Sequence, residues 1–494
     1  MAHSEADAVA PPIQRRLASV VAMFALLASL VTVGLPQADW RTYLLPADAP
    51  VPTGARVLRA LPLVDGVVVS APTVLPGAVS LAEPLHWRSL APQPDTSGVR
   101  LDSGVATTRA DQAWPTTRGE RAVVALIDTG VAPLPVLDGA VAGEIDFSGT
   151  GGGDPFGHGT FLASLIAARG PLAPGVAPGT GILSLKVGGP DGGTSLGAVL
   201  AALQWLQGPG RAGGIRVAAL ALGVDPDSDA AAVLDRAVER LARDGILVVV
   251  AAGNDGPGAL GSPATAPGGF SLGAVDDQST PDRSDDVVAG FSATGSDRAG
   301  APQPDAAASG VNIVAWMPQD ALIARTYPQA SLGDGLFRGS GTSMSTALAA
   351  GVAALASSAR PDLDGAALDA ALRAGGANLD APAAVAAALA APPGHGPQGN
   401  APHGSSEGNR RGDAGNDDQG AASPEAVHWR AVHWRAVHWR AVSWRGDHWG
   451  DPDWELGNWS AVHWRAVSWR GHWAGEPVAA DSFEAVSWRA LQWR

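Results

Sequence analysis

The stretch Val123-Val124-Ala125-Leu126-Ile127-Asp128-Thr129-Gly130 runs through five apolar residues and stops on an acid, a hydroxyl and a glycine. Unbroken apolarity does not suit a strand with one face in water, so the run reads as a strand covered on both faces. Further runs of this kind stand at 181–187, 216–222, 246–251 and 271–275. Segments 196–207 and 230–243 have helical length and apolar spacing. Continuous apolar strands alternating with helices predict an α/β fold, a doubly wound parallel sheet with helices on both faces. In such a sheet functional groups collect beyond the carboxyl ends of the strands, where Asp128 stands.

Three other residues occupy comparable places. His158, in Gly157-His158-Gly159-Thr160, opens the apolar run 161–167 and is the only histidine between His86 and His395. Imidazole chemistry in the middle of the chain therefore falls to it. Asn254 follows the apolar run 246–251 in Gly253-Asn254-Asp255-Gly256. Ser343 lies in Gly339-Ser340-Gly341-Thr342-Ser343-Met344-Ser345, and 346–355 is all small or aliphatic, a helix that can be buried on every side. The first turn of a helix offers unpaired N–H groups and a positive dipole end, so a serine here is poised where an oxyanion can be stabilised. Singly, each residue has a plainer reading: Asp128 as a cap or turn acid, His158 as a helix-start histidine, Ser343 as an N-cap, Asn254 as turn chemistry.

The chain has 494 residues, more than one domain's worth. A net charge of −15 argues against a general nucleic-acid binder, which needs a basic face. The absence of cysteine excludes disulfide scaffolds, thiolate zinc sites and cysteine nucleophiles. The 63 Gly and 39 Pro make about a fifth of the chain, below the roughly 25–30% that signals disorder throughout. Lys186 is the sole lysine.

The ends differ from the middle. Arg15 and Arg16 precede 19 uncharged, mostly apolar residues, 17–35, the order expected of an export signal over 1–38, with an uncleaved anchor as the alternative. Residues 39–100 read as a small β-rich unit with an Asp65-Gly66 turn, too short to bury a core of its own and expected to lean on the next domain. Residues 391–424 are a linker of small and polar residues. In 425–494 nine tryptophans fall at a strict five-residue spacing from Trp429 to Trp469, and this tail holds 12 of the chain's 17 tryptophans. A five-residue period matches neither strand nor helix, so successive indoles change face. Repeated exposed indoles beside arginines would bind an extended cell-wall or envelope polymer by avidity; the alternatives are a β-solenoid and a solvated low-complexity tail.

Asp, His and Ser in that chain order, with an amide donor between the last two, resemble the subtilisin-like serine proteases, or subtilases. The matching stretches are Ala125-Leu126-Ile127-Asp128-Thr129-Gly130-Val131, Gly157-His158-Gly159-Thr160, Ala251-Ala252-Gly253-Asn254 and Gly341-Thr342-Ser343-Met344, with Gly175-Val176-Ala177-Pro178 and Gly273-Ala274-Val275-Asp276 in support. The resemblance implies a catalytic domain over 101–390, with Ser343 as nucleophile, His158 as general base then acid, and Asp128 orienting the imidazole. Asn254 and the Ser343 N–H would hold the oxyanion. It further implies a specificity pocket walled by Ala221, Leu222, Gly223, Ala251, Ala252 and Gly253, with Gly261 at its floor and Asp255 at its rim. The pocket is small-walled and so open to a large apolar side chain. It also implies that 39–100 is a propeptide.

Four positions depart from the family pattern. Ser345 and Ala347 stand where Ala and Pro are usual, Ala221 replaces a serine, and Ser309 replaces a proline in Ala308-Ser309-Gly310. None removes a catalytic atom. The expected protein is a secreted or surface-associated serine endopeptidase, monomeric, acting on proteins or peptides, with no cofactor required for the chemistry. Calcium is common in the family, but the sequence assembles no ligand set for it. The rival readings are a surface-binding protein whose tail is the functional part, and an esterase with the same triad.

Overall fold

The computed structural model describes residues 40–86, 100–224, 226–258, 260–280, 282–295 and 303–392, with four short strands between 442 and 477. The export segment, the linker from 393 onward and most of the repeat tail lie outside the described residues.

The first element is a small antiparallel sheet of β1 (Arg41–Pro46), β2 (Arg56–Leu61), β3 (Gly66–Ala71) and β4 (Val79–Ser80), in the order β2-β3-β1-β4. Asp65 takes a left-handed conformation (φ 50°) that turns the chain into β3, as the Asp-Gly pair predicted. One more strand, β5 (Pro84–His86), follows. Two short helices, α1 (Ser103–Thr108) and α2 (Ala110–Ala113), lead into the main sheet.

That sheet contains β6 (Val123–Asp128), β7 (Val141–Asp146), β8 (Gly181–Lys186), β10 (Val217–Leu220), β11 (Leu247–Ala251), β12 (Gly269–Asp276), β13 (Val287–Val288) and β14 (Ala306–Ser309). Its order is β13-β12-β11-β10-β6-β8-β7, with β14 also pairing with β12. All pairings are parallel except β12 with β13. The sheet is therefore mixed rather than wholly parallel. The antiparallel strand is an exposed two-residue edge, and its brevity hid it in the sequence.

Helices α3 (His158–Ala167), α4 (Leu196–Trp205), α5 (Asp229–Arg243), α6 (Leu322–Thr326), α7 (Thr342–Ala359), α8 (Gly365–Arg373) and α9 (Ala381–Ala390) complete the domain, with β9 (Gly193–Ser195), β15 (Ile313–Trp316), β16 (Ser331–Gly333) and β17 (Leu336–Gly339) in smaller sheets. Along β6 successive side chains go to opposite layers. Val124 and Leu126 pack with α3 and α7. Val123, Ala125 and Ile127 pack with α4 and α5. Helix α7 is buried from Thr342 to Ser358, so its small side chains are what let it sit against the strands.

The N-terminal sheet leans on this domain, as its size demanded. Leu44, Leu61, Leu63, Val64, Val68, Leu81 and Leu85 share one apolar core with α4 and α5. The Leu63 N–H donates to Gln204 Oε1 at 3.0 Å, and Ser228 Oγ, capping α5, donates to Glu83 Oε1 at 3.2 Å. Strand β5 pairs antiparallel with β9, Leu85 opposite Thr194. Strand β1 buries Tyr43, Leu44 and Leu45 in succession, so no two-residue alternation marks it in the sequence, and β4 is only two residues long.

The tail forms a separate unit from residue 401 onward. In it β18 (Val442–Arg445) pairs parallel and in register with β19 (Val467–Arg470), two copies of Val-Ser-Trp-Arg, and β20 (His472–Trp473) pairs with β21 (Glu476–Pro477).

Candidate active site

Asp128 is the last residue of β6 and 1% exposed. Its carboxylate reaches His158 Nδ1 at 2.8 Å through Oδ1 and 3.0 Å through Oδ2. His158 is the first residue of α3, so its side chain looks back toward the strand ends rather than capping the helix. Gly157 before it has φ 107°, and a Cβ there would come within 2.7 Å of Met317 Sδ, so only glycine makes this entry. Burial alone pushes the imidazole toward the neutral form, but the charge and hydrogen bond of Asp128, with the charge of Asp154, outweigh it. The His158 pKa is raised above the ordinary 6.5.

Ser343 is the second residue of α7, behind a Gly341 cap at φ 150°, so it is not the N-cap its plainer reading suggested. Its backbone N–H belongs to the first turn and has no acceptor within the helix. Its hydroxyl is buried and donates to the Ala221 carbonyl at 3.4 Å.

Asn254 is joined to this same turn. Its Oδ1 accepts the Thr342 N–H and the Thr342 hydroxyl, both at 2.9 Å. Thr342 Oγ1 in turn accepts the Gly253 N–H at 3.2 Å. The oxygen side of the amide is thus committed to Thr342, and the side chain's donor atom is Nδ2. The sequence quoted Thr342 within a motif but gave it no role, because a threonine before a serine carries no signal until the loop bearing Asn254 is folded against it.

The expected pocket residues fall in three adjoining segments, 221–223, 251–253 and the one at Gly261. Gly223 is exposed, and Val224 donates its N–H to the Ser262 carbonyl at 2.9 Å. Gly261 faces Val224, where a Cβ would lie 2.6 Å from the carbonyl oxygen. Leu222 and Ala252 are buried in the core under the sheet, so they offer backbone only, whereas Gly253 and Ala251 are half-buried.

A second buried carboxylate, Asp154, was not singled out by sequence. It stands four residues before His158 and is 4% exposed. Its Oδ1 accepts Thr129 Oγ1 and the Gly157 N–H, each at 2.8 Å. Its Oδ2 accepts the Thr160 N–H at 2.8 Å and the Thr160 hydroxyl at 2.7 Å. Lys186, fully buried, donates to the carbonyl of the preceding Gly153 at 2.6 Å. No cluster of three or more His, Cys, Asp or Glu side chains suited to a metal occurs among the described residues.

Known proteins are similar to this chain over about half its length. The chain is 33% identical over 282 residues to the serine protease AprX of Bacillus subtilis (strain 168), a match covering 53% of this chain and 63% of that protein. It is 33% identical over 247 residues to the alkaline elastase YaB of Bacillus sp. (strain YaB), covering 48% and 54%. It is also 34% identical over 252 residues to subtilisin Savinase of Lederbergia lenta, covering 49% and 78%. The first two of these are matched over less than two thirds of their own length. The model of the subtilase family matches residues 119–385, more than half of this chain and the whole span from β6 to α9's middle, and on that ground the chain belongs to the subtilase family.

Proposed function

We propose that the chain is a serine endopeptidase, made as a precursor and exported. The observation that carries this reading is the Asp128–His158 hydrogen bond at the strand ends, with Asn254 fixed to the helix turn that bears Ser343. Asp128 on Nδ1 keeps a proton there and leaves Nε2 as the basic nitrogen. Ser343 Oγ attacks a peptide carbonyl while its proton passes to Nε2, and the resulting oxyanion is held by Asn254 Nδ2 and the Ser343 N–H. Collapse breaks the C–N bond as the imidazolium returns its proton to the leaving amine. Water then enters by the same proton route in reverse order and releases the acyl group.

Residues 39–100 act as the pro-segment. Antiparallel pairing of β5 on β9 is the way an extended peptide adds to a sheet edge, which supports this reading. The shared core with α4 and α5 holds it there. The tail tethers the secreted enzyme to a cell-wall or envelope polymer, the enzyme itself being a monomer that acts on proteins or peptides.

A serine-directed fluorophosphonate label followed by casein digestion tests the reading. Labelling with digestion is the expected result. Labelling without digestion would indicate an esterase, and no labelling a surface-binding protein. Ser343→Ala should abolish both and leave the precursor uncut. Normal processing of that variant, purified alone, would remove self-cleavage from the account.

A further inference from the structure

We propose that Asp154 is a positioning residue for His158, acting through the Thr129 hydroxyl and as a second fixed negative charge beside the imidazole. This deepens the protease reading and rests on it. Burial pushes the Asp154 carboxyl above its ordinary range, and its four donor partners, two from Thr160 and one each from Thr129 and Gly157, counter that push and favour the ionised form. Those donors belong to the two segments that carry the catalytic pair. Gly157 and Thr160 flank His158, and Thr129 follows Asp128.

Thr129 Oγ1 is the link. It accepts the Gly159 N–H at 2.9 Å and is closer to Asp154 Oδ1, at 2.8 Å, than to Asp128 Oδ1, at 3.2 Å. A hydroxyl has one proton, and giving it to Asp154 leaves Asp128 Oδ1 to the Thr129 N–H at 2.8 Å and to His158 Nδ1. Asp154 therefore orders the first turn of α3 and keeps a competing donor off Asp128.

The surrounding charges are each engaged elsewhere in the same corner. Lys186, on β8, holds the Gly153 carbonyl. Glu144, on β7, takes the N–H groups of Gly153 and Val131 and the Ser184 hydroxyl. Both fasten the turn that presents Asp154. On α3 itself no acid lies in the first turn. Among the described residues, the charges of Asp128 from β6 and Asp154 from the turn before α3 act on the imidazole, and both favour the imidazolium.

Two variants separate charge from geometry. In Asp154→Asn the charge is lost, so the acid limb of kcat/KM should move to lower pH by about half a unit or more. The maximal kcat should fall about tenfold with KM unchanged, since an amide nitrogen would confront N–H donors. In Asp154→Glu the charge is kept, so the acid limb should stay within roughly 0.2 units of wild type while kcat falls. A structural role alone would lower thermal stability in both and leave both acid limbs in place, and that result would overturn the proposal. If neither variant folds, Thr129→Val decides: a roughly tenfold loss of kcat at constant KM, restored by Thr129→Ser, supports it, and an unchanged kcat overturns it. Fluorophosphonate labelling of the wild type, run alongside, reports separately on the protease reading.

Discussion

Thr342→Val tests whether the oxyanion donor is oriented from behind. The substitution is nearly isosteric and removes only a hydroxyl. That hydroxyl donates to Asn254 Oδ1 at 2.9 Å and accepts the Gly253 N–H at 3.2 Å. Losing one neutral hydrogen bond costs about 0.5–1.5 kcal/mol, and the Gly253 N–H loses its acceptor as well. The Thr342 N–H still holds Oδ1 at 2.9 Å, so the amide is loosened rather than released. We expect kcat to fall about tenfold with KM within about twofold, because the oxyanion exists only past the ground state. Asn254→Ala, which deletes the donor, should cost roughly 10²–10³ in kcat, a magnitude established on a subtilisin itself. The assay is a double-mutant cycle with a soluble peptide substrate. If Thr342 works through Asn254, adding Thr342→Val to Asn254→Ala should cost less than about twofold more. A full tenfold further loss in that background would refute the reasoning, because Thr342 would then be acting on something other than the amide.

Three further outcomes follow. Because His158 must be neutral to accept the serine proton and its pKa is raised above 6.5, kcat/KM should decline as pH falls through a midpoint above that value; a midpoint at or below it would contradict the balance of charges drawn here. Burial and the nearby Asp277 push Asp286 up to about 6, so its carboxylate is unfavourable in the fold above that pH and the strain disappears as it protonates on the way down. Asp286→Asn in the Ser343→Ala background should therefore raise stability at pH 8 by about 1 kcal/mol after allowing for solvent screening, with no gain at pH 4, and equal gains at both would show the effect is not electrostatic. Ending the chain at Pro424 should leave cleavage of a small peptide unchanged and abolish co-sedimentation with insoluble cell-wall material; equal partitioning of the two forms would remove the tether.

The main sheet was readable because strands buried on both faces must be largely apolar: β10 and β11 are wholly so, β6 is so up to its closing Asp128, and β8 and β12 are so apart from Ser184, Lys186, Ser271 and Asp276. Strand β7, Val-Ala-Gly-Glu-Ile-Asp, was not, because its Glu144 serves the turn at Gly153 and breaks the apolar run. Asp128, His158, Asn254 and Ser343 could be named because each carries a distinctive functional group at an element boundary. Thr342, Thr129 and Asp154 could not. Their roles consist of hydrogen bonds between segments 25 to 88 residues apart in sequence, and such bonds leave no periodic trace. The pairing of β5 with β9 was hidden for the same reason, since Gly193-Thr194-Ser195 reads as a turn until an extended chain lies beside it.

The two buried carboxylates have a common energetic logic. Burying a carboxylate is costly unless donors surround it, and both Asp128 and Asp154 have them. In the resting state, with His158 neutral, this arrangement places negative charge beside an uncharged ring. In the proposed reaction, the serine proton reaching Nε2 would make that ring a cation near charges already fixed in place, and no group would have to turn to meet it. The attraction is therefore gained only as the oxyanion forms, which is the condition for lowering the barrier rather than deepening the ground state. The raised His158 pKa and this stabilisation are the same interaction seen at equilibrium and in the reaction. A variant that lowers the first should slow the second, even where it extends activity to more acidic pH.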